Sequence, residues 1–395
     1  MKNKKGFTLI ELLATITILA ILAVISVVAV EKTLNNSKQK TNRIQKESII
    51  SAAKAYVADN LSSCRNGCQV SVARLIDEGF IEEKEDSEAI GIVKVNRNGN
   101  KFSYEYNESS PESHFEMKED AGVITGYTGS GGDIVIPKTV DGYKVTRIRE
   151  LAFSNVGRDE NGDLSVIKQP IAITSVTIPK GVTEIGPGAF VNVNEDMDIN
   201  DLSSINGGEL SSINIPNTVT KIGEYAFIGN KLKTIKIPNS VTEIGGRAFA
   251  YNQLTSVTIP DSVTYMGIEV FVNNNIKSLV LSKNLVGIDE VAFADNQIET
   301  LALPNNIKWI GTNAFKNNKI NSLTLSDNLE SIWENAFNNN NITTVTIPDS
   351  VTEIYEDAFA NNPLTKIIVK GKSSLKDFEN SDGLKEFEEI ITFEP

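Results

Sequence analysis

Three hydrophobic patterns succeed one another along the chain. From Phe7 to Val30 the residues are nearly all apolar, "FTLIELLATITILAILAVISVVAV". As a helix this run would extend about 36 Å at ~1.5 Å per residue, enough to cross a bilayer core. From Glu31 to about Leu61 there is neither proline nor glycine, and Leu34, Ile44, Ile49, Ala52, Ala53, Tyr56 and Leu61 fall near one helical face. The helix is therefore expected to continue as an amphipathic stalk. "GIVKVNRNGNKFSYEYNE" then alternates apolar and polar residues about Asn98-Gly99, which predicts a β-hairpin.

The third pattern is periodic. Phe227, Phe249, Phe271, Phe293, Phe315, Phe337 and Phe359 stand 22 residues apart, and the units that contain them fill the chain from Leu210 to Pro363 without a gap. With position 1 set at Leu254, one unit reads "LTSVTIPDSVTYMGIEVFVNNN", apolar at positions 1, 4, 6, 10, 13 and 18. Phe153 and Phe190 mark two earlier units, each 37 residues from the next phenylalanine and so carrying a 15-residue insertion. "LTKIIVKG", residues 364–371, begins a last strand. Such a period predicts a solenoid, in which a single repeat cannot bury its own face and stacking supplies the core. The extended segment of each unit ends at "IP", because proline lacks the N–H that a sheet ladder needs.

Asparagine recurs at position 21, as Asn230, Asn252, Asn274, Asn296, Asn318, Asn340 and Asn362. Stacked about 4.8 Å apart, these side chains are expected to bond to one another and to turn backbone groups, a structural ladder rather than a binding site. Positions 2, 3 and 5 are small and polar, as in Thr255, Ser256, Thr258, Thr343, Thr344 and Thr346, which suits a solvated sheet face or a protein-binding one. Position 14, usually glycine, is Trp333 and Tyr355 in adjacent units, so their rings are expected side by side, either anchoring a ligand or packing over the C-terminal end of the solenoid.

Charge and rare residues narrow the chemistry. A formal charge of −13 with no basic stripe makes nucleic acid a poor partner. The chain has one histidine, His114, and two cysteines, Cys64 and Cys68, so a zinc site is not expected. The cysteines enclose Asn66-Gly67 and are expected to oxidise to a disulfide outside the membrane, with free thiols the alternative. No nucleophile is paired with a base in a recognisable motif, so catalysis is not expected, nor is any cofactor or metal. The Asp-rich insertions "RDENGD" and "NEDMDIND" complete no EF-hand-like loop and read as solvated loops, with calcium binding the alternative.

One residue does not fit a plain membrane anchor. Glu11, one turn from Phe7, would put a carboxylate in an apolar helix at a cost of roughly 2.5–3.5 kcal/mol near its centre, which marks it as functional. The leader "MKNKKG" is basic, but the apolar run after it is too long for a secretory signal and no A-x-A site follows. "KKGFTLIELL" resembles the prepilin signature of type IV pilins and pseudopilins. That resemblance implies cleavage between Gly6 and Phe7 by a prepilin peptidase, N-methylation of Phe7, and pairing of Glu11 with the amino terminus of a neighbouring subunit during assembly. Many type IV pilins carry a proline in the membrane half of this helix, and this chain has none.

The repeats, with "GYTGSGGDIVIP", "VTEIG" and "AF", resemble the BspA-like leucine-rich repeats of microbial surfaces, a resemblance that implies adhesion and binding of host or matrix proteins. The expected organisation is a leader (1–6), a transmembrane and stalk helix (7–62), a small α+β pilin-type head with linker (63–120), a β-rich leucine-rich repeat solenoid (121–371) and an acidic cap or tail (372–395). The expected function is that of a minor or tip pilin subunit, inserted in the bacterial cytoplasmic membrane and then displayed at the cell surface or on a pilus, with other pilin subunits as partners. Two alternatives stand beside it, a pseudopilin of a competence or type II-like secretion machine and an unassembled membrane receptor.

Overall fold

The structure, a computed structural model, describes residues 45–82, 91–99, 101–118, 121–158, 164–167, 169–193 and 207–394. Among them no helix is long and apolar enough to cross a membrane; the apolar run from Phe7 to Val30 lies outside the described residues.

A small α+β unit comes first. Helix α1, residues 45–59, buries Ile49, Ala52, Ala53, Tyr56 and Val57, the spacing that puts one stripe against a sheet. The helix stops where the Asn60 side-chain amide and backbone N–H both donate to the Tyr56 carbonyl, at 3.0 and 2.9 Å. Leu61, placed on the buried face by periodicity, therefore lies past the helix end and is exposed. Strands β1 (Cys68–Ser71), β2 (Ile92–Asn98) and β3 (Lys101–Asn107) form an antiparallel sheet in that order, and helix α2 (Val72–Asp77) follows β1 directly. β2 and β3 are the hairpin around Asn98-Gly99, with Asn98 opposite Lys101 and Gly99 at φ 62, a left-handed conformation that glycine tolerates. Cys64 and Cys68 are joined by a disulfide with Cα atoms 4.9 Å apart.

The remainder is a β-solenoid of about eleven turns with two parallel ladders running along it. Unit positions 3–5 make the first. It contains β6 (Gly132–Val135), Ile173–Thr177 and Ser212–Asn214, and farther along Ser256–Thr258 with Ser278–Val280 and Thr344–Ile347 with Lys366–Lys370. Positions 12–13 make the second, from Arg147–Ile148 through Glu184–Ile185, Lys221–Ile222 and Glu243–Ile244 to Tyr265–Met266. It breaks there and resumes at Gly287–Ile288, continuing through Trp309–Ile310 and Ser331–Ile332 to Glu353–Ile354. Repeat periodicity predicted the first ladder. The second is only two residues wide, too short for period-2 alternation to register.

Between the ladders runs the core. The position-18 phenylalanines from Phe153 to Phe359 form one unbroken stack, with neighbouring ring centroids 4.8 to 5.6 Å apart and ring planes within 16°. All are buried. Isoleucine, valine, alanine and leucine at the other apolar positions close around them in a single cluster. Both ends are covered. At the start, β4 (Phe115–Lys118), in the stretch read as linker, pairs antiparallel with β5 (Val123–Tyr127) and buries Phe115 tilted on Tyr127 and edge-on to Phe153, capping the ring stack. At the other end Ile391–Glu394 pairs parallel with Lys366–Lys370, while Leu384 and Phe378 close the core. The first 15-residue insertion contributes a hairpin, Val156–Arg158 against Leu164–Val166.

Candidate functional site

The position-21 asparagines bond to the backbone, all of them buried except Asn362, which is half-buried. Asn296 is representative: its amide nitrogen donates to the carbonyls of Phe271, Phe293 and Ala294 at 2.9, 3.2 and 3.1 Å, while its oxygen accepts the Ile276 N–H at 3.0 Å. Asn230, Asn252, Asn274, Asn318, Asn340 and Asn362 repeat this pattern. Each side chain thus ties its own turn to the preceding one through carbonyls, and the expected bonds between these asparagines themselves are not made, because every amide hydrogen already faces backbone. Side-chain-to-side-chain bonds lie one residue earlier, at position 20, where Asn317 donates to Asp295 at 2.8 Å and Asn339 to Asn317 at 2.9 Å. Residues there and at position 16 are left-handed (Asn317 φ 56, Asn313 φ 58), a conformation Asn and Asp tolerate better than most.

The outward strand face is divided. Thr255, Ser256, Thr258, Thr343, Thr344 and Thr346 are exposed. At the N-terminal end the same face is covered by the chain's own small unit. Asp133 on β6, opposite Ser175 in the ladder, has a side chain only 1% exposed. It accepts from the Ser71 N–H at 2.7 Å, from Arg74 Nε and Nη2 at 3.1 and 2.9 Å, and from Thr174 Oγ1 at 2.8 Å. Ser71 and Ser175 hydroxyls meet at 2.5 Å, and Ser212 Oγ donates to Asp77. Four hydrogen bonds from three residues on one carboxylate are what a buried charge needs. Reasoning from sequence missed this junction. Its one sign is an aspartate in a column that is small and neutral from Ser175 through Ser212 and Ser256 to Thr344.

Trp333 and Tyr355 do not lie side by side. The Trp333 indole stacks instead on Trp309 of the preceding turn, centroids 5.9 Å apart and planes at 28°, and its Nε1–H donates to Ser331 Oγ at 3.1 Å. A position-12 side chain points out beside the position-14 side chain of the next turn, an offset that alignment by equal positions does not show. Tyr355 pairs with Glu353; slight burial and that carboxylate raise its phenol above its ordinary pKa. Asp289, also at position 14, is raised by burial and then by neighbouring Glu290. His114 packs edge-on to Tyr127, centroids 6.2 Å apart, at the start of the solenoid.

Among the described residues no group of three His, Cys, Asp or Glu side chains is placed to hold a metal ion. Gly6, Phe7 and Glu11, the residues expected to serve in processing and assembly, lie outside the described residues, as do most of the Asp-rich insertions, 159–163 and 194–201.

Comparison with known proteins assigns both ends of the chain. Residues 1–27 match a prokaryotic N-terminal methylation motif. Residues 198–320 and 308–388 match a BspA type leucine rich repeat region, in six copies. No curated protein matches the chain. Among solved structures it is similar to a leucine-rich repeat protein from Bacteroides ovatus, 19% identical over 79% of this chain and 76% of that one, TM-score 0.47. It is also similar to a leucine rich repeat protein of T. pallidum, 21% identical over 51% and 81%, TM-score 0.34. A third is a leucine rich cell surface protein from Faecalibacterium prausnitzii, 21% identical over 76% and 95%, TM-score 0.28.

Proposed function

For a chain that carries a prokaryotic N-terminal methylation motif ahead of a BspA-type leucine-rich repeat region, we propose the role of a type IV pilin-like subunit, minor or at the filament tip, that holds the solenoid outside the cell as an adhesive module. Cleavage between Gly6 and Phe7 by a prepilin peptidase leaves an ammonium on Phe7, and Glu11 of one subunit neutralises that ammonium on its neighbour. A buried charge that finds its partner fixes register, whereas an unpaired one opposes assembly. Cys64 and Cys68 close the loop that follows the stalk, and Trp333 and Tyr355 are candidate contacts for a host, matrix or other surface protein.

The observation that carries this reading is the junction at Asp133. It seats the solenoid on the small unit that ends the stalk helix, through a carboxylate with four hydrogen-bonding groups, so a pull on a ligand is passed to the anchor through a bonded contact rather than a slack linker. The crowding of one such solenoid per subunit suits a minor or tip position. Glu11→Val should leave membrane insertion and cleavage intact, since it removes a charge from an apolar segment, and should sharply lower the amount of chain in sheared filaments. Gly6→Arg should block cleavage. Normal incorporation of the Glu11→Val chain would overturn the assembly role.

A further inference from the structure

In a regular solenoid the positions that stacking requires repeat from turn to turn, so a coherent local departure needs another cause. Position 11 is threonine in Thr146, Thr183, Thr220, Thr242 and Thr264 and again in Thr352. These hydroxyls bond back to the preceding turn, as Thr242 Oγ1 to the Thr220 carbonyl at 3.2 Å and Thr352 Oγ1 to the Glu330 carbonyl at 3.4 Å. In the three turns between, position 11 is Val286, Lys308 and Glu330, which forgo that bond. Position 9 changes over the same three turns: Thr218, Ser240 and Ser262 give way to Asn284, Asn306 and Asn328, and Ser350 restores the hydroxyl. Position 12 is Gly287, Trp309 and Ser331 there, between Tyr265 and Glu353. The patch begins where the second ladder is interrupted, between Tyr265–Met266 and Gly287–Ile288.

These substitutions share one surface. Val286, Asn305, Asn306, Lys308, Asn328 and Glu330, together with Ser350 of the following turn, line an open groove of about 450 Å³. Beside it runs a narrow aromatic strip. The Trp309 indole lies across Gly287, where a Cβ would fall within the ring, and Trp333 stacks on Trp309. Tyr265 is 52% and Trp333 42% exposed. The groove's one ion pair, Lys308 Nζ to Glu330 Oε1 at 2.7 Å, cancels its own charge.

We propose that this three-turn groove binds a neutral oligosaccharide. Carboxamides donate and accept at once, which suits hydroxyl groups, and the indole face of Trp333 turned away from Trp309 can stack on the apolar C–H face of a sugar ring. A strip one or two side chains wide fits a chain-shaped ligand better than a globular surface, which would cover about 800 Å² per partner. The three turns span about 15 Å at ~4.8 Å each, room for roughly three rings of an extended glycan. An anionic ligand is disfavoured by the paired groove charges and by a chain charge of −13. The proposal names a ligand class for the adhesive module and rests on that reading for its setting, yet it is tested on purified chain, so a failure here is distinct from a failure of filament assembly.

The chain has two tryptophans, Trp309 and Trp333, so intrinsic fluorescence of the full chain in detergent reads this surface alone. Cellohexaose, chitohexaose and laminarihexaose are titrated, with a heparin hexasaccharide as the charged control. At least one neutral hexasaccharide should give a saturable change in emission, matched by heat in calorimetry, and Trp333→Ala should weaken the heat signal at least tenfold. A variant restoring the repeat pattern, Asn306→Ser with Lys308→Thr and Glu330→Thr, should melt no lower than the parent while losing binding. The proposal is overturned if no neutral hexasaccharide binds, if only the heparin fragment or a protein does, or if the pattern-restored variant binds as the parent does.

Discussion

At the scale of single residues, the stability of the solenoid depends on groups whose partners are backbone. Asn296 is 1% exposed and satisfies three carbonyls and one N–H. Asn296→Leu orphans them together and should lower stability by about 1–3 kcal/mol, read as a lower urea midpoint. Asp289 behaves in the opposite sense. Its folded-state pKa is raised by burial and by Glu290, so the folded protein holds the proton more tightly than the unfolded chain, and stability is gained as pH falls through the folded pKa. Asp289→Asn should therefore raise the melting temperature slightly at pH 7, by no more than about 0.5 kcal/mol in stability, with the gain vanishing in acid; an equal gain at pH 3 would remove the ionisation from the explanation. The asparagine period was legible in the sequence because each buried amide needs the same surroundings in every turn. Its bonding was not, because periodicity shows which residues stack and not whether an amide faces a neighbouring amide or a carbonyl.

Among the elements, the turn is the unit and the phenylalanine stack its axis. Phe293, between Phe271 and Phe315 at 5.5 Å on each side, is fully buried, and Phe293→Ala should cost about 3–5 kcal/mol. Because a solenoid is coupled only to nearest neighbours, the loss should appear in hydrogen exchange as opening of the adjoining turns, with the turns around Phe190 protected as before; uniform loss of protection would contradict nearest-neighbour coupling. Length and spacing made this array legible from Leu210 onward. The second ladder, the strand at Phe115–Lys118 and the Trp309–Trp333 contact were not, since each depends on how one turn is offset on the next, which a period measured along the chain does not contain.

For the whole molecule, the question is how a solenoid is fixed to an anchor. Asp133→Ala leaves the Arg74 guanidinium, 17% exposed, with only its longer contact to Glu78 at 3.8 Å; removing one member of a buried pair typically costs about 3–5 kcal/mol, of which Glu78 offsets a part. The expected outcome is new protease sensitivity in the Glu108–His114 stretch, ahead of β4, with the solenoid's own melting transition unchanged. An intact protease pattern would mean that the small unit and the solenoid are held by other contacts. The N-terminal motif was plain from ten residues, "KKGFTLIELL", because a processing enzyme and an apolar assembly impose their requirements locally on the sequence. The junction was obscure because its partners, Ser71, Arg74, Asp133 and Thr174, come from separate stretches that only the fold brings together. The proposed display on a filament joins these scales, and intact-mass analysis of the chain in sheared surface filaments tests it most directly. The expected species begins at Phe7, carries one added methyl group and retains the Cys64–Cys68 disulfide. A chain found only in the membrane fraction, still beginning at Met1, would contradict it.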